Sequence, residues 1–104
     1  MGNIASEIFA RFNLDIVFMG THGMDSEFGF SSPNLDESET NREVIRRAAK
    51  VVILADHTKW GVRGFSSYAD CDAADVIITD DGLTSEALKT LKTQVKEVIV
   101  VGRS

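Results

Sequence analysis

Two short segments of this sequence gather the side chains that could do chemistry. Gly20-Thr21-His22-Gly23-Met24-Asp25 brings glycines, a hydroxyl, an imidazole and a carboxylate into one stretch. Glycines directly after a strand let the backbone approach a ligand, and successive N–H groups there form an anion-binding nest. Asp56-His57-Thr58-Lys59 sets a carboxylate and an ammonium on one short segment. That pair suits a sugar hydroxyl and a phosphate, with lysine serving the phosphate as a flexible point charge. Structural readings compete with both: a tight turn for the first, and for the second a local Asp–Lys pair with Trp60 packed on the core. A third segment, Thr79-Asp80-Asp81-Gly82, holds adjacent acids and reads as turn chemistry leading into a helix cap. His22 and His57 lack a third ligand, so no metal is expected, and His57 reads as a surface or supporting group. P-loop, G-x-S-x-G and G-x-G-x-x-G patterns are all missing, and no cofactor is expected.

The elements that would position these groups are legible in the apolar pattern. Ile16–Met19, Val51–Ala55, Val76–Thr79 and Val98–Val101 are short runs rich in β-branched residues, the signature of parallel strands covered on both faces. Ile4, Ile8 and Phe12 recur at helical spacing, and Val44, Ile45, Ala48 and Ala49 form a second stripe, with Asp36 as candidate N-cap and Glu39 completing a capping box. Leu83, Ala87, Leu88, Leu91 and Val95 form a third, introduced by Thr84 or Ser85. The expected fold class is α/β: a mostly parallel sheet of about four strands flanked by helices in a Rossmann-like layer. Two long irregular stretches, Gly20–Leu35 and Asp56–Asp75, each leave the C-terminal end of a strand, the edge at which open α/β sheets bind ligands.

At 104 residues, residues 1–104 form a single domain or a piece of a larger one. No apolar run approaches the roughly 20 residues that span a bilayer, so no membrane partner is expected. The lone Cys71 fits a reducing cytoplasm. A net charge of −5 argues against a free-standing nucleic-acid binder. The basic cluster Arg42, Arg46, Arg47 and Lys50 is interleaved with Glu39 and Glu43, and reads as a solvated helix face.

From Asp15 to Asp80 the sequence resembles the sensor domain of DeoR-type transcription regulators. Asp15-Ile16-Val17-Phe18-Met19-Gly20, then Gly23-Met24-Asp25 and Gly29, is similar to that family's opening motif. Ser32-Pro33-Asn34-Leu35-Asp36-Glu37, Glu39-Thr40-Asn41-Arg42, Asp56-His57-Thr58-Lys59 and Val76-Ile77-Ile78-Thr79-Asp80 follow in the family's order. The resemblance implies a fold related to ribose-5-phosphate isomerase and a phosphorylated sugar as effector, bound without turnover. It implies a ligand site of Gly20, Thr21, Gly23, Asp25, Glu37, Asp56 and Lys59, and no catalytic residue. It also implies that the chain starts inside the sensor, that DNA is contacted only through an N-terminal winged helix-turn-helix outside this chain, and that copies associate as a homo-oligomer. The related isomerases place a catalytic glutamate near Asn41, and an amide is no general base. The alternative is a sugar-phosphate isomerase or deaminase using Asp25 or His22 for proton transfer. A further alternative is a module that only dimerises the regulator.

Overall fold

The four apolar runs become strands of one sheet because β-branched side chains fit both faces of a pleated surface. A computed structural model describes residues 13–102, and the helix expected on Ile4, Ile8 and Phe12 lies outside them. In chain order the elements are β1 (Val17–Gly20), β2 (Gly23–Asp25), β3 (Gly29–Ser32), α1 (Leu35–Arg47), β4 (Val51–Leu54), β5 (Ser66–Ala69), β6 (Val76–Asp80), α2 (Ser85–Gln94) and β7 (Glu97–Val101). Single 3-10 turns fall at His57–Lys59 and Cys71–Ala73.

β1, β4, β6 and β7 form a four-stranded, wholly parallel sheet in the order β1-β4-β6-β7. Met19, Ile53, Ile77 and Val98 lie side by side across it, so they share one face. That face meets Val44 of α1, Leu91 of α2 and Val95, and it also meets Met24, Phe30 and Tyr68, in one continuous core. The strand pattern predicts cover on both faces, and among the described residues only this face is packed by helices. On the other, Val52 and Val76 are buried at the centre while Phe18, Leu54, Ile99 and Val101 stay exposed around them.

The two long stretches expected to be irregular are the main correction. They contain β2, β3 and β5, which pair antiparallel as a second, three-stranded sheet in the order β2-β3-β5. Apolar periodicity could not reveal strands this short whose residues are largely glycine and serine: Gly23-Met24-Asp25, Gly29-Phe30-Ser31-Ser32 and Ser66-Ser67-Tyr68-Ala69. Backbone space matters more there than side-chain bulk. Gly29 has φ +76 and lies where a Cβ would come 2.1 Å from the Ala69 carbonyl oxygen, so only glycine fits. The chain thus alternates between sheets: β1 in the first, β2 and β3 in the second, β4 back in the first, β5 in the second, β6 and β7 in the first.

Both helices begin on side-chain caps. Thr84 caps α2 through Oγ1, which accepts from the Ala87 amide, as the sequence predicts. For α1 the cap is Asn34, not Asp36: the Asn34 backbone is extended and its Oδ1 accepts from the Glu37 amide at 2.9 Å. Asp36 falls inside the first turn, where its charge favours the helix N-terminus. On the far end of α1, Glu43 is buried and pairs with both Arg46 and Arg47, while Arg42 donates to the Ser67 carbonyl at 2.8 Å. The basic cluster therefore neutralises its own acid and ties α1 to β5.

Candidate functional site

The parallel sheet delivers the ends of β1, β4 and β6 to one edge. Its strand order runs in one direction, so the described strands create no switch-point crevice of the kind open α/β sheets use. At this edge the second sheet and the 3-10 turn are joined directly. Met24 of β2 forms a parallel bridge with Trp60, and the Gly61 amide donates to the Met24 carbonyl at 2.7 Å. Gly61, at φ +81, lets the chain reverse directly after this contact. Trp60 itself packs against the core. The first and second loops are thereby joined by backbone bonds.

The candidate residues fall into distinct groups. Gly20 is exposed at the end of β1, and a Cβ there would meet nothing within 4 Å. Thr21 Oγ1 lies within hydrogen-bonding distance of the carbonyls of Gly23 and Ser31, at 2.9 and 3.3 Å. Gly23 is buried, and a Cβ would stand 2.2 Å from the Val62 carbonyl oxygen, so close packing explains this glycine. Asp25 is also engaged in the fold. Its Oδ2 accepts from the amides of Glu27 at 3.0 Å and Phe28 at 2.8 Å, and lies 3.1 Å from an Arg63 guanidinium nitrogen. Burial pushes the Asp25 carboxyl up, but the two amides and Arg63 outweigh it and hold the group below the ordinary carboxylate value. Stability from Asp25 is therefore fully present above the unfolded value and is lost as pH falls through the lower folded one. Asp25→Asn is expected to be less stable than the parent at neutral pH. The two curves should converge in acid, which urea titrations from neutral pH down to about pH 2 check.

Asp56 is the exposed N-cap of the 3-10 turn. Its Oδ1 accepts from the Thr58 amide and the Thr58 hydroxyl, which lower its pKa. Oδ2 makes no hydrogen bond among the described residues. Lys59 closes the same turn, and among the described residues no carboxylate lies within salt-bridge distance of it. Asp56 and Lys59 are therefore not in direct contact, although the Lys59 charge still contributes to lowering the Asp56 pKa. Glu37 stands exposed on the first turn of α1, and no described bond ties its carboxylate to Asp56 or Lys59.

Sequence reasoning left out one pair. His57 Nδ1 lies 2.9 Å from both carboxylate oxygens of Asp80, and this contact leads the causes that lower the Asp80 pKa. The signal was present in strand register. Leu54 pairs with Ile78, so Asp56, two residues beyond the end of β4, comes level with Asp80 at the end of β6. Donor atoms of Asp56, His57 and Asp80 all lie within 4.8 Å of one another, a spacing that a metal ion would also suit. The hydrogen bonds within the group already account for it.

The fold and site define a Rossmann-like α/β domain with its candidate ligand groups at the strand ends. The model of the DeoR C-terminal sensor domain matches residues 1–81, and the chain belongs to that family. The HTH-type transcriptional regulator GlpR of Haloferax volcanii is 34% identical over 93 residues, 89% of this chain and 36% of that protein. The putative aga operon transcriptional repressor of Escherichia coli O157:H7 is 30% identical over 101 residues, 97% of this chain and 38% of that protein. The glycerol-3-phosphate regulon repressor of Escherichia coli K12 is 25% identical over 80 residues, 77% of this chain and 32% of that protein. The chain thus spans little more than a third of the length of the first two.

Proposed function

We propose that this chain is the effector-sensing part of a DeoR-type regulator of sugar metabolism, and that it binds a phosphorylated sugar at the strand ends without turning it over. The observation that carries the reading is the docking of the 57–61 segment on β2, which fixes Lys59 beside the end of the parallel sheet. An ammonium there, in no salt bridge among the described residues, supplies the charge a phosphate needs. The names of two relatives tie them to the aga operon and to a glycerol-3-phosphate regulon, in keeping with a phosphorylated effector. In this reading DNA is contacted by a helix-turn-helix outside the 104 residues, the regulator works in the cytoplasm, and copies associate. Effector binding then shifts the balance between two states by its differential affinity for them.

Asp25 argues for sensing over catalysis. A general base works best with a pKa near the operating pH, and the bonds to Phe28, Glu27 and Arg63 hold this carboxyl low. Thermal shifts of the chain, and of the regulator containing it, with sugar phosphates, free sugars and inorganic phosphate test the proposal. A selective rise in Tm is expected, and Lys59→Ala is expected to weaken binding by about tenfold or more. Failure of every phosphorylated compound to shift the regulator would overturn it. Deuterium uptake from solvent into a bound sugar phosphate would replace it with the isomerase reading.

A further inference from the structure

We propose that residues 1–12 dock as an amphipathic helix in the groove between the outer edge of β1 and helix α1. The inference stands apart from the sensor reading, and either can fail without the other.

β1 is the first strand in the order of the parallel sheet, so its outer edge pairs with no strand among the described residues. Beside that edge lies a groove of about 590 Å³. Leu14, Ile16, Phe18 and Met19 wall it on the strand side, and Asn41 and Val44 wall it on the side of α1. Asn41 is the one polar side chain among them. Phe18 is 60% exposed and Ile16 44% exposed, although both are large and apolar. An unpaired edge strand beside an apolar groove invites association unless something covers it.

The chain itself names the occupant. Leu14 is pinned at the groove: its amide donates to the Arg47 carbonyl at 2.9 Å, and its carbonyl accepts from the Ala49 amide at 2.7 Å. A single residue, Asn13, separates Leu14 from Phe12, so the segment 1–12, which lies outside the described residues, is tethered at the rim. In helical projection Ile4, Ile8 and Phe12, with Ala5 and Phe9, fall on one side, and Asn3, Ser6 and Glu7 fall on the other. From Ile4 to Phe12 the apolar stripe runs about 12 Å at a rise of about 1.5 Å per residue. The four residues of β1 span about 13 Å. Stripe and strand match in length and in apolar character.

A second copy is the rival occupant, and two magnitudes disfavour it. A footprint about 13 Å long and about 10 Å wide covers on the order of 130 Å², against about 800 Å² per partner in a stable interface. That is room for one helix. A segment tethered by one residue also competes at an effective concentration of about millimolar, above that of a separate copy in dilute solution. β1 ends at Gly20, directly before Thr21, so a helix docked along it braces the strand that carries these two candidate residues.

NMR of the whole 104-residue chain tests the proposal. Side-chain protons of Ile8 and Phe12 are expected to contact those of Phe18 and Val44, and to do so within one copy when differently labelled chains are mixed. Ile8→Asp, on the docking side, is expected to lower the Tm by about 5 °C or more, and Ser6→Asp by less than about 2 °C. In the Ile8→Asp chain the signals of Ile53 and Ile77 are expected to stay in place while those of Phe18 and Val44 move. Absence of contact between residues 1–12 and the groove in the folded parent overturns the proposal. Contacts seen only between copies give the groove to a second chain and overturn it as well, and so do equal melting temperatures for Ile8→Asp and Ser6→Asp.

Discussion

Gly23→Ala is expected to lower the melting temperature by more than about 10 °C, while Gly20→Ala leaves it within a degree or two. The two glycines sit on one short segment and look alike in the sequence, as candidates for close approach to a ligand. Their surroundings differ. At Gly23 a methyl group would meet the Val62 carbonyl oxygen at 2.2 Å and the Ser31 Oγ at 2.6 Å. Neither neighbour gives way easily. Val62 contributes backbone, and Ser31 Oγ accepts from the Gly64 amide at 2.8 Å while Ser31 pairs across the sheet with Gly23 itself. Making room means moving the 61–64 segment off β2, at a cost of about 3 kcal/mol. At Gly20 the same methyl group meets nothing within 4 Å. Thermal denaturation of both variants checks this. Equal melting temperatures would show that the segment accommodates the methyl group.

Phe30→Ala is expected to be more damaging still, by about 4 kcal/mol, a large share of the roughly 5–15 kcal/mol that holds a domain of this kind together. Phe30 is fully buried at the middle of the second sheet, opposite Met24 in the β2–β3 register, and its ring stacks on Tyr68 with centroids 6.2 Å apart. Met24 and Tyr68 belong to the same core that receives Ile53 and Ile77 from the parallel sheet. Removing the ring empties the contact between the two sheets rather than a pocket within one. Urea unfolding gives the magnitude, and a change of less than about 1 kcal/mol would show that the sheets do not depend on this side chain. The contrast with Lys59→Ala is diagnostic. Phe30→Ala lowers stability yet regains part of it with effector, by mass action, whereas Lys59→Ala keeps stability and loses the effector-dependent gain.

The parallel sheet was legible because its strands, Val51-Val52-Ile53-Leu54 and Val76-Ile77-Ile78 among them, are continuous apolar runs rich in β-branched residues, even though one face is only partly covered. The start of α1 was less so. Asn34 and Asp36 are both good caps, and Asn34 acts because helical backbone begins at Leu35. The second sheet was illegible. Its residues were chosen for backbone approach, as Gly29 beside Ala69 shows, and periodicity is silent about that. Among the candidate residues, Asp56 and Lys59 share the 3-10 turn at the strand ends, and Thr21 lies at the end of β1. Asp25 and Gly23 are committed to the β2–β3 hairpin and its neighbours. One-dimensional spacing cannot separate a carboxylate that waits for a ligand from one already satisfied by two amides.

The alternation of the chain between its sheets governs how the molecule opens. β3 and β5 pair across a stretch of sequence that contains α1 and β4, and β4 in turn holds β1 and β6. No contiguous stretch of chain contains either sheet whole without strands of the other. Detaching the second sheet therefore strains the connections into the first, and the two are expected to exchange their amide hydrogens as a single unit rather than in separate steps. A molecule bound between the turn at His57–Lys59 and β2 would slow exchange across both sheets at once, including at β7, which lies far from that turn in the strand order.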